Sequence, residues 1–151
     1  MKNFIIIIVA ILLIQGCATP YQSKGFIGGY DEIQIDTNVF KVSFRGNGYT
    51  SRERATNFTL LRSAELALEN GFTYFAIVDE KNSTRTYTTP TTFNTVSTGY
   101  GSYTTYTSGG YKISKPSTEN TIILYRAKPE EIFTYNAEFL YKSMKAKYNI
   151  E

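Results

Sequence analysis

With 151 residues the chain has room for one domain of ordinary size and not for two independent cores. Its 16 Lys and Arg stand against 13 Asp and Glu, a net +3 too weak to argue nucleic-acid binding, which needs a concentrated basic patch. Histidine is absent and Cys17 is the only cysteine, which excludes a His-dependent triad, a Cys and His zinc site and an intramolecular disulfide within one chain.

The amino-terminal residues read as an export signal over 1–16. Lys2 precedes the unbroken apolar run Phe4 to Ile14, and Gln15 and Gly16 then lead to Cys17. A charged start, a short apolar core and a small residue before the cut describe a secretory signal peptide. The run is also shorter than the roughly 17–25 residues that a membrane span needs. Ile14, Gly16 and Cys17 resemble the bacterial lipoprotein processing site, which implies cleavage between Gly16 and Cys17 and a diacylglycerol thioether on Cys17. Several acyl chains, each buried CH₂ adding roughly 0.8 kcal/mol, would then hold the protein to a membrane. Cleavage takes Lys2 away and leaves 15 cations against 13 anions, a net +2. Ala18 replaces the aspartate that resembles an inner-membrane retention signal in enteric-type sorting, so the expected location is the outer membrane with the domain facing the periplasm.

Residues 17–29 read as the lipidated cysteine and a small, polar, glycine-bearing tether, and 30–151 as a single domain. Asp31 to Asp36 and Val39 to Arg45 alternate apolar and polar residues, as strands with one buried face do, and Thr37 and Asn38 suit a tight turn between them. After Gly46-Asn47-Gly48, Thr50 with Glu53 three residues on has the form of a capping box. Leu60, Leu61, Ala64, Ala67 and Leu68 make an apolar stripe at helical spacing, and Gly71 suits the left-handed position past the helix end. Phe72 to Asp79 reads as a strand of near-central character, making a βαβ unit with the strand and helix before it. Thr121 to Ala127 reads as a last strand. Asn136 can cap a closing helix to about Ala146, with Phe139, Leu140, Ser143 and Met144 inward. The expected fold is α+β, a sheet of about four strands with helices on one face.

Between Ser83 and Thr118, threonine, serine, glycine and tyrosine dominate and no Asp or Glu occurs. So long an insertion is either a flexible excursion, a functional loop or a two-stranded extension. Its Tyr87, Tyr100, Tyr103, Tyr106 and Tyr111 offer flat amphipathic faces able to stack on sugars or pack on a protein, and form a candidate binding surface.

Other motifs carry less. Gly46-Asn47-Gly48 sits between strand and helix, where phosphate loops sit, but Ser51 occupies the third glycine position of a dinucleotide fingerprint and no Gly-Lys-Ser or Thr follows, so a plain turn is expected. The neighbours Asp31 and Glu32, Asp79 and Glu80, and Glu130 and Glu131 read as solvated charge, because adjacent strand residues point to opposite faces. Lys142, Lys145 and Lys147 suit the carboxyl end of the last helix more than a membrane patch. The two Asn-X-Thr or Ser sequons, at Asn57 and Asn82, predict nothing in a bacterial lipoprotein.

Thr19-Pro20-Tyr21-Gln22, Gly28-Gly29-Tyr30, Phe44 to Thr50 (Phe-Arg-Gly-Asn-Gly-Tyr-Thr) and Leu60 to Leu66 (Leu-Leu-Arg-Ser-Ala-Glu-Leu) together resemble a family of small uncharacterised lipoproteins of Gram-negative bacteria. The resemblance covers about Cys17 to Asp79, weakens through the insertion and returns loosely in the last strand and helix. It implies lipidation and an envelope location, and carries no activity.

The expected function is therefore a non-enzymatic envelope lipoprotein without cofactor or metal, held to a membrane by lipid and binding an envelope protein or peptidoglycan. Two alternatives stay open: a periplasmic hydrolase with a hydroxyl or carboxylate-based site, and an envelope-stress sensor.

Overall fold

The computed structural model describes residues 17–88, 93–98, 101–106 and 112–151, with backbone alone for 93–98 and 101–106. Strands β1 (Gly29–Asp36) and β2 (Val39–Arg45) form the expected hairpin around Thr37 and Asn38. Helix α1 (Arg52–Glu69) follows, then β3 (Tyr74–Thr88), the short pair β4 (Phe93–Thr98) and β5 (Gly101–Tyr106), β6 (Lys112–Tyr125), β7 (Tyr135–Asn136) and helix α2 (Ala137–Tyr148).

The main sheet has the order β1-β2-β6-β3-β7 with every neighbouring pair antiparallel, so the architecture is α+β with five strands where four were expected. The additional strand, β7, is two residues long, too short to show any periodicity in the sequence. β2 and β3 are each antiparallel to β6 and therefore run parallel to one another, so the expected βαβ unit is split by β6. Within the insertion, residues 83–88 and 112–117 continue the β3 and β6 ladder, and the rest carries the separate β4–β5 pair.

One face of the sheet is covered. Phe40, Val42 and Phe44 of β2 and Ile122 and Leu124 of β6 point under α1, which buries Ala55, Phe58, Leu61, Ala64 and Ala67. α2 lies on the same side: Ala137, Leu140 and Tyr141 join the cluster of Phe75, Ile122 and Leu124, while Tyr148 and Ile150 cover the cluster of Phe44, Ala55 and Phe58. A polar seam divides these two clusters. Thr59, Ser63, Thr118 and Asn120 are all fully buried. The two helical hydroxyls return to their own backbone, Thr59 to Ala55 O at 2.9 Å and Ser63 to Thr59 O at 2.8 Å, and Thr118 donates to Asn82 Oδ1 at 2.8 Å. The Asn120 amide has no hydrogen-bond partner among the described residues.

Several local expectations change. Helix α1 is capped by Ser51, whose side chain accepts from Arg54 N at 3.1 Å, because Thr50 is engaged elsewhere. Its end is as expected: Gly71 has φ +73°, and Phe72 N bonds Ala67 O and Gly71 N bonds Leu68 O, a Schellman closure. Leu68 is partly exposed, and Phe58 and Leu66 are the large apolar residues that the stripe omitted. Ile33 lies on the uncovered face because its register partner is Lys41, and directly opposed residues share a face; Ile35 sits at a bulge and is likewise exposed. Asn136 does cap α2, accepting from Phe139 N at 2.9 Å. The inner face of α2 is Ala137, Leu140, Tyr141, Met144 and Tyr148, while Phe139 and Ser143 point outward, since the fully buried Ala137 sets the helix rotation.

Candidate binding groove

Residues 18–29, expected as a tether, make specific contacts with the domain. Thr19 is fully buried, its N–H bonds Thr50 Oγ1 at 3.0 Å, and its hydroxyl donates to Ile27 O at 3.0 Å while accepting from Asn47 N at 2.8 Å. Asn47 Nδ2 in turn donates to the carbonyl of Cys17 at 2.8 Å. Thr50 is thus drawn into an amino-terminal knot, leaving the helix cap to Ser51. The flanking glycines serve space rather than a left-handed backbone: a Cβ on Gly46 would meet the Thr50 side chain at 2.5 Å, and one on Gly48 would meet Ile113 at 2.6 Å. The Gly-Asn-Gly segment is a close-packed turn, as expected in place of a phosphate loop, with Asn47 as its working residue.

Tyr21 extends the docking. Its ring packs on Tyr30 and Phe58 at 4.9 and 5.3 Å, and its hydroxyl donates to Glu65 Oε2 at 2.5 Å. Glu65 also receives Arg62, which makes a bidentate pair with Glu32 (3.2 and 2.9 Å) and reaches Glu69 at 2.9 Å. Burial pushes the Tyr21 hydroxyl pKa far up, and the bond to the Glu65 carboxylate adds to this. Burial lowers that of Arg62, but hydrogen bonds to Glu32, Glu65 and Glu69 outweigh it and leave the guanidinium more firmly protonated. This cluster is structural, tying the amino-terminal segment, β1 and α1 together.

Beside the knot, between the turn at residues 24–28 and the uncovered face of the sheet, lies an open groove of about 630 Å³. Five cations line it, Lys24, Arg45, Lys81, Arg85 and Lys115, against one carboxylate, Glu119. The ladder puts four of them there, Lys24 coming from the turn: Arg85 is the register partner of Lys115, Lys81 of Glu119, and Arg45 of Ser117, which also faces Ser83 two residues along each strand. Alternation places all of these on the uncovered face. Lys24 is paired with Asp31 at 2.6 Å, Lys81 with Asp79 at 3.3 Å, and Glu119 with Lys41 at 3.6 Å. Among the described residues Arg45, Arg85 and Lys115 have no carboxylate partner, so the groove presents uncompensated positive charge. Lys115 also sits over the Tyr87 ring at 4.9 Å.

Of the five candidate tyrosines, Tyr87 lines the groove. Tyr103 and Tyr106 lie on β5, in register with Val96 and Phe93, and Tyr100 and Tyr111 fall outside the described residues. Gly16 does too; Cys17 is exposed with a free thiol. The groove cations were not singled out in the sequence, although the missing Asp and Glu between Ser83 and Thr118 beside Arg85, Lys112 and Lys115 is the signal that marks them.

The remaining charged motifs lie at the surface except Glu32, expected as solvated charge, which is partly buried in its bidentate pair with Arg62. Asp31 and Glu32 diverge to Lys24 and Arg62, Glu80 accepts from Asn82 at 2.6 Å, and Lys142 and Lys147 pair with Glu138 and Glu53. Among the described residues no group of His, Cys, Asp or Glu is arranged to hold a metal ion, and no helix is long and apolar enough to cross a membrane. Comparison of the chain with protein families, curated proteins and solved structures gives no match.

Proposed function

We propose that this chain is an exported lipoprotein of the Gram-negative cell envelope, attached to the outer membrane through acyl chains on Cys17 and facing the periplasm. Its domain acts as a non-enzymatic binding module. The observation that carries the reading is the Ile14-Gln15-Gly16-Cys17 site directly after a charged start and a short apolar run. The resemblance to small Gram-negative lipoproteins points the same way.

Binding rather than catalysis is favoured by the composition of the groove. Its one carboxylate is tied to Lys41, and no hydrogen bond among the described residues joins Ser83 or Ser117 to a lysine that would activate it. Uncompensated cations suit an anionic ligand. The β3–β6 arm (residues 83–88 and 112–117) with Tyr87, and the β4–β5 pair that carries Tyr103 and Tyr106, offer the second surface to an envelope protein or to peptidoglycan.

Mass spectrometry of the purified amino terminus tests the anchor. The expected result is an acylated Cys17 as first residue, with Cys17→Ser shifting the protein out of the acylated membrane-bound form. Retention of residues 1–16 with an unmodified thiol would overturn the reading.

A further inference from the structure

The groove and Cys17 are parts of one local structure. Asn47 lines the groove and holds the Cys17 carbonyl; Thr19, at most about 7 Å along the chain from Cys17, holds the carbonyl of Ile27, another lining residue. Around this junction stand the apolar tips of Phe26, Ile27 and Tyr49, with Phe26 107 % and Tyr49 76 % exposed. Tyr49 is fixed there by its N–H bond to Asn47 Oδ1 at 3.0 Å. In the same groove as Phe26 and Ile27, Arg45, Arg85 and Lys115 fall within about 12 Å of one another at the backbone, given strand spacings near 4.8 Å and a rise near 3.3 Å per residue.

We infer that this face, with its apolar tips and groove cations, lies against the membrane that carries the acyl chains and takes the phosphates of anionic phospholipid headgroups. The inference rests on Cys17 being acylated. Two physical features select the occupant. Exposed aromatic and aliphatic side chains beside basic residues are the pattern of an interfacial surface, where the apolar groups enter the headgroup boundary and the cations meet lipid phosphates. The segment from Cys17 to Thr19 is bonded to the groove wall, so acyl chains on Cys17 would enter the bilayer at the groove and not at the end of a free leash. Each surface cation contributes about 1 kcal/mol toward an anionic leaflet, which is about fivefold in the ratio of apposed to detached domain. The three cations with no carboxylate partner among the described residues bias the domain strongly toward apposition.

The chain contains no tryptophan, so one introduced at an exposed position is a unique reporter. The full lipidated protein carrying Phe26→Trp is reconstituted in vesicles of phosphatidylcholine, with or without phosphatidylglycerol, doped with brominated lipid. The expected result is tryptophan quenching that strengthens with phosphatidylglycerol and weakens with salt. Replacing Arg45, Arg85 and Lys115 by Gln should reverse the gain, and Phe139→Trp, exposed on the outer side of α2 and so beyond the covered face of the sheet, should stay unquenched. Absence of quenching at residue 26, or quenching indifferent to both phosphatidylglycerol and the triple substitution, overturns the inference while leaving the anchor intact. If mass spectrometry of the same preparation finds no acyl chain, the anchor reading fails separately. The groove is then judged by co-sedimentation of that protein with the two kinds of vesicle, where equal partition would reject it.

Discussion

Tyr21 is the residue where the amino-terminal segment, β1 and α1 meet, and its chemistry makes a pH-dependent prediction. Its hydroxyl donates to Glu65 while the ring is packed among Tyr30 and Phe58, so the folded state holds the protonated form. Burial first, and the neighbouring carboxylate second, raise its pKa above the value near 10 of an unfolded tyrosine. A group with a raised folded pKa stabilises fully below the unfolded value and loses that contribution as pH climbs beyond it. Stability should therefore fall as pH rises past about 10, and Tyr21→Phe should flatten that fall. At neutral pH the same substitution should cost about 1.5–3 kcal/mol, the range for a hydrogen bond to a charged group. Thermal melts of both proteins across the alkaline range test this, and parallel slopes would remove Tyr21 as the source. Glu65 keeps Arg62 in the variant, so its carboxylate is not stranded.

At the scale of elements, the chain was legible where one periodicity ruled and opaque where a residue had two possible uses. β2 shows its buried face directly in Phe40, Val42 and Phe44, and the carboxyl end of α1 is marked by Gly71. Thr50 and Ser51 are adjacent hydroxyl residues, and only the position of Thr19 decides which one caps the helix. Phe139, Ile33 and Ile35 look like core residues, and rotation and register expose them. The groove was hidden because its cations come from four separated stretches, Lys24, Arg45, Lys81 with Arg85, and Lys115, which only the folded sheet and the turn before it bring together. The same pairing shows how to remove the arm cleanly. Cutting residues 83–118 would take out the buried Pro116 and Thr118, whereas Thr88 and Lys112 face each other across the ladder and a two-residue Asn-Gly turn can join them. Replacing residues 89–111 by Asn-Gly should leave the melting temperature nearly unchanged and abolish co-purification of an envelope protein or peptidoglycan. Retained partner binding would clear those residues of the role.

For the whole molecule the decisive matter is whether the chain just after Cys17 belongs to the domain or hangs from it. Two apolar clusters share one sheet face across the seam at Thr59, Ser63, Thr118 and Asn120, and the cluster around Phe44 and Phe58 is the smaller. Tyr21 closes that cluster from one side and Tyr148 from another, its ring 4.8 Å from Phe58 and its hydroxyl held by Asn57 at 2.7 Å. Removing residues 17–23 would uncover Phe58 and take away the bonds that Glu65, Thr50 and Asn47 make to Tyr21, Thr19 and Cys17. Burying an aromatic ring of roughly 150–200 Å² at about 25 cal/mol per Å² gives about 4–5 kcal/mol as an upper bound. A loss of about 3 kcal/mol would lower the midpoint by about 10 °C in a domain of this size. A chain beginning at Lys24 should therefore melt about 10 °C below one beginning at Ala18, measured by circular dichroism at neutral pH. Equal midpoints would mean that residues 18–23 are a leash. A large drop means that the domain grips the chain up to the residues next to Cys17, and with so little slack the direction in which the groove faces relative to Cys17 is set by the fold itself.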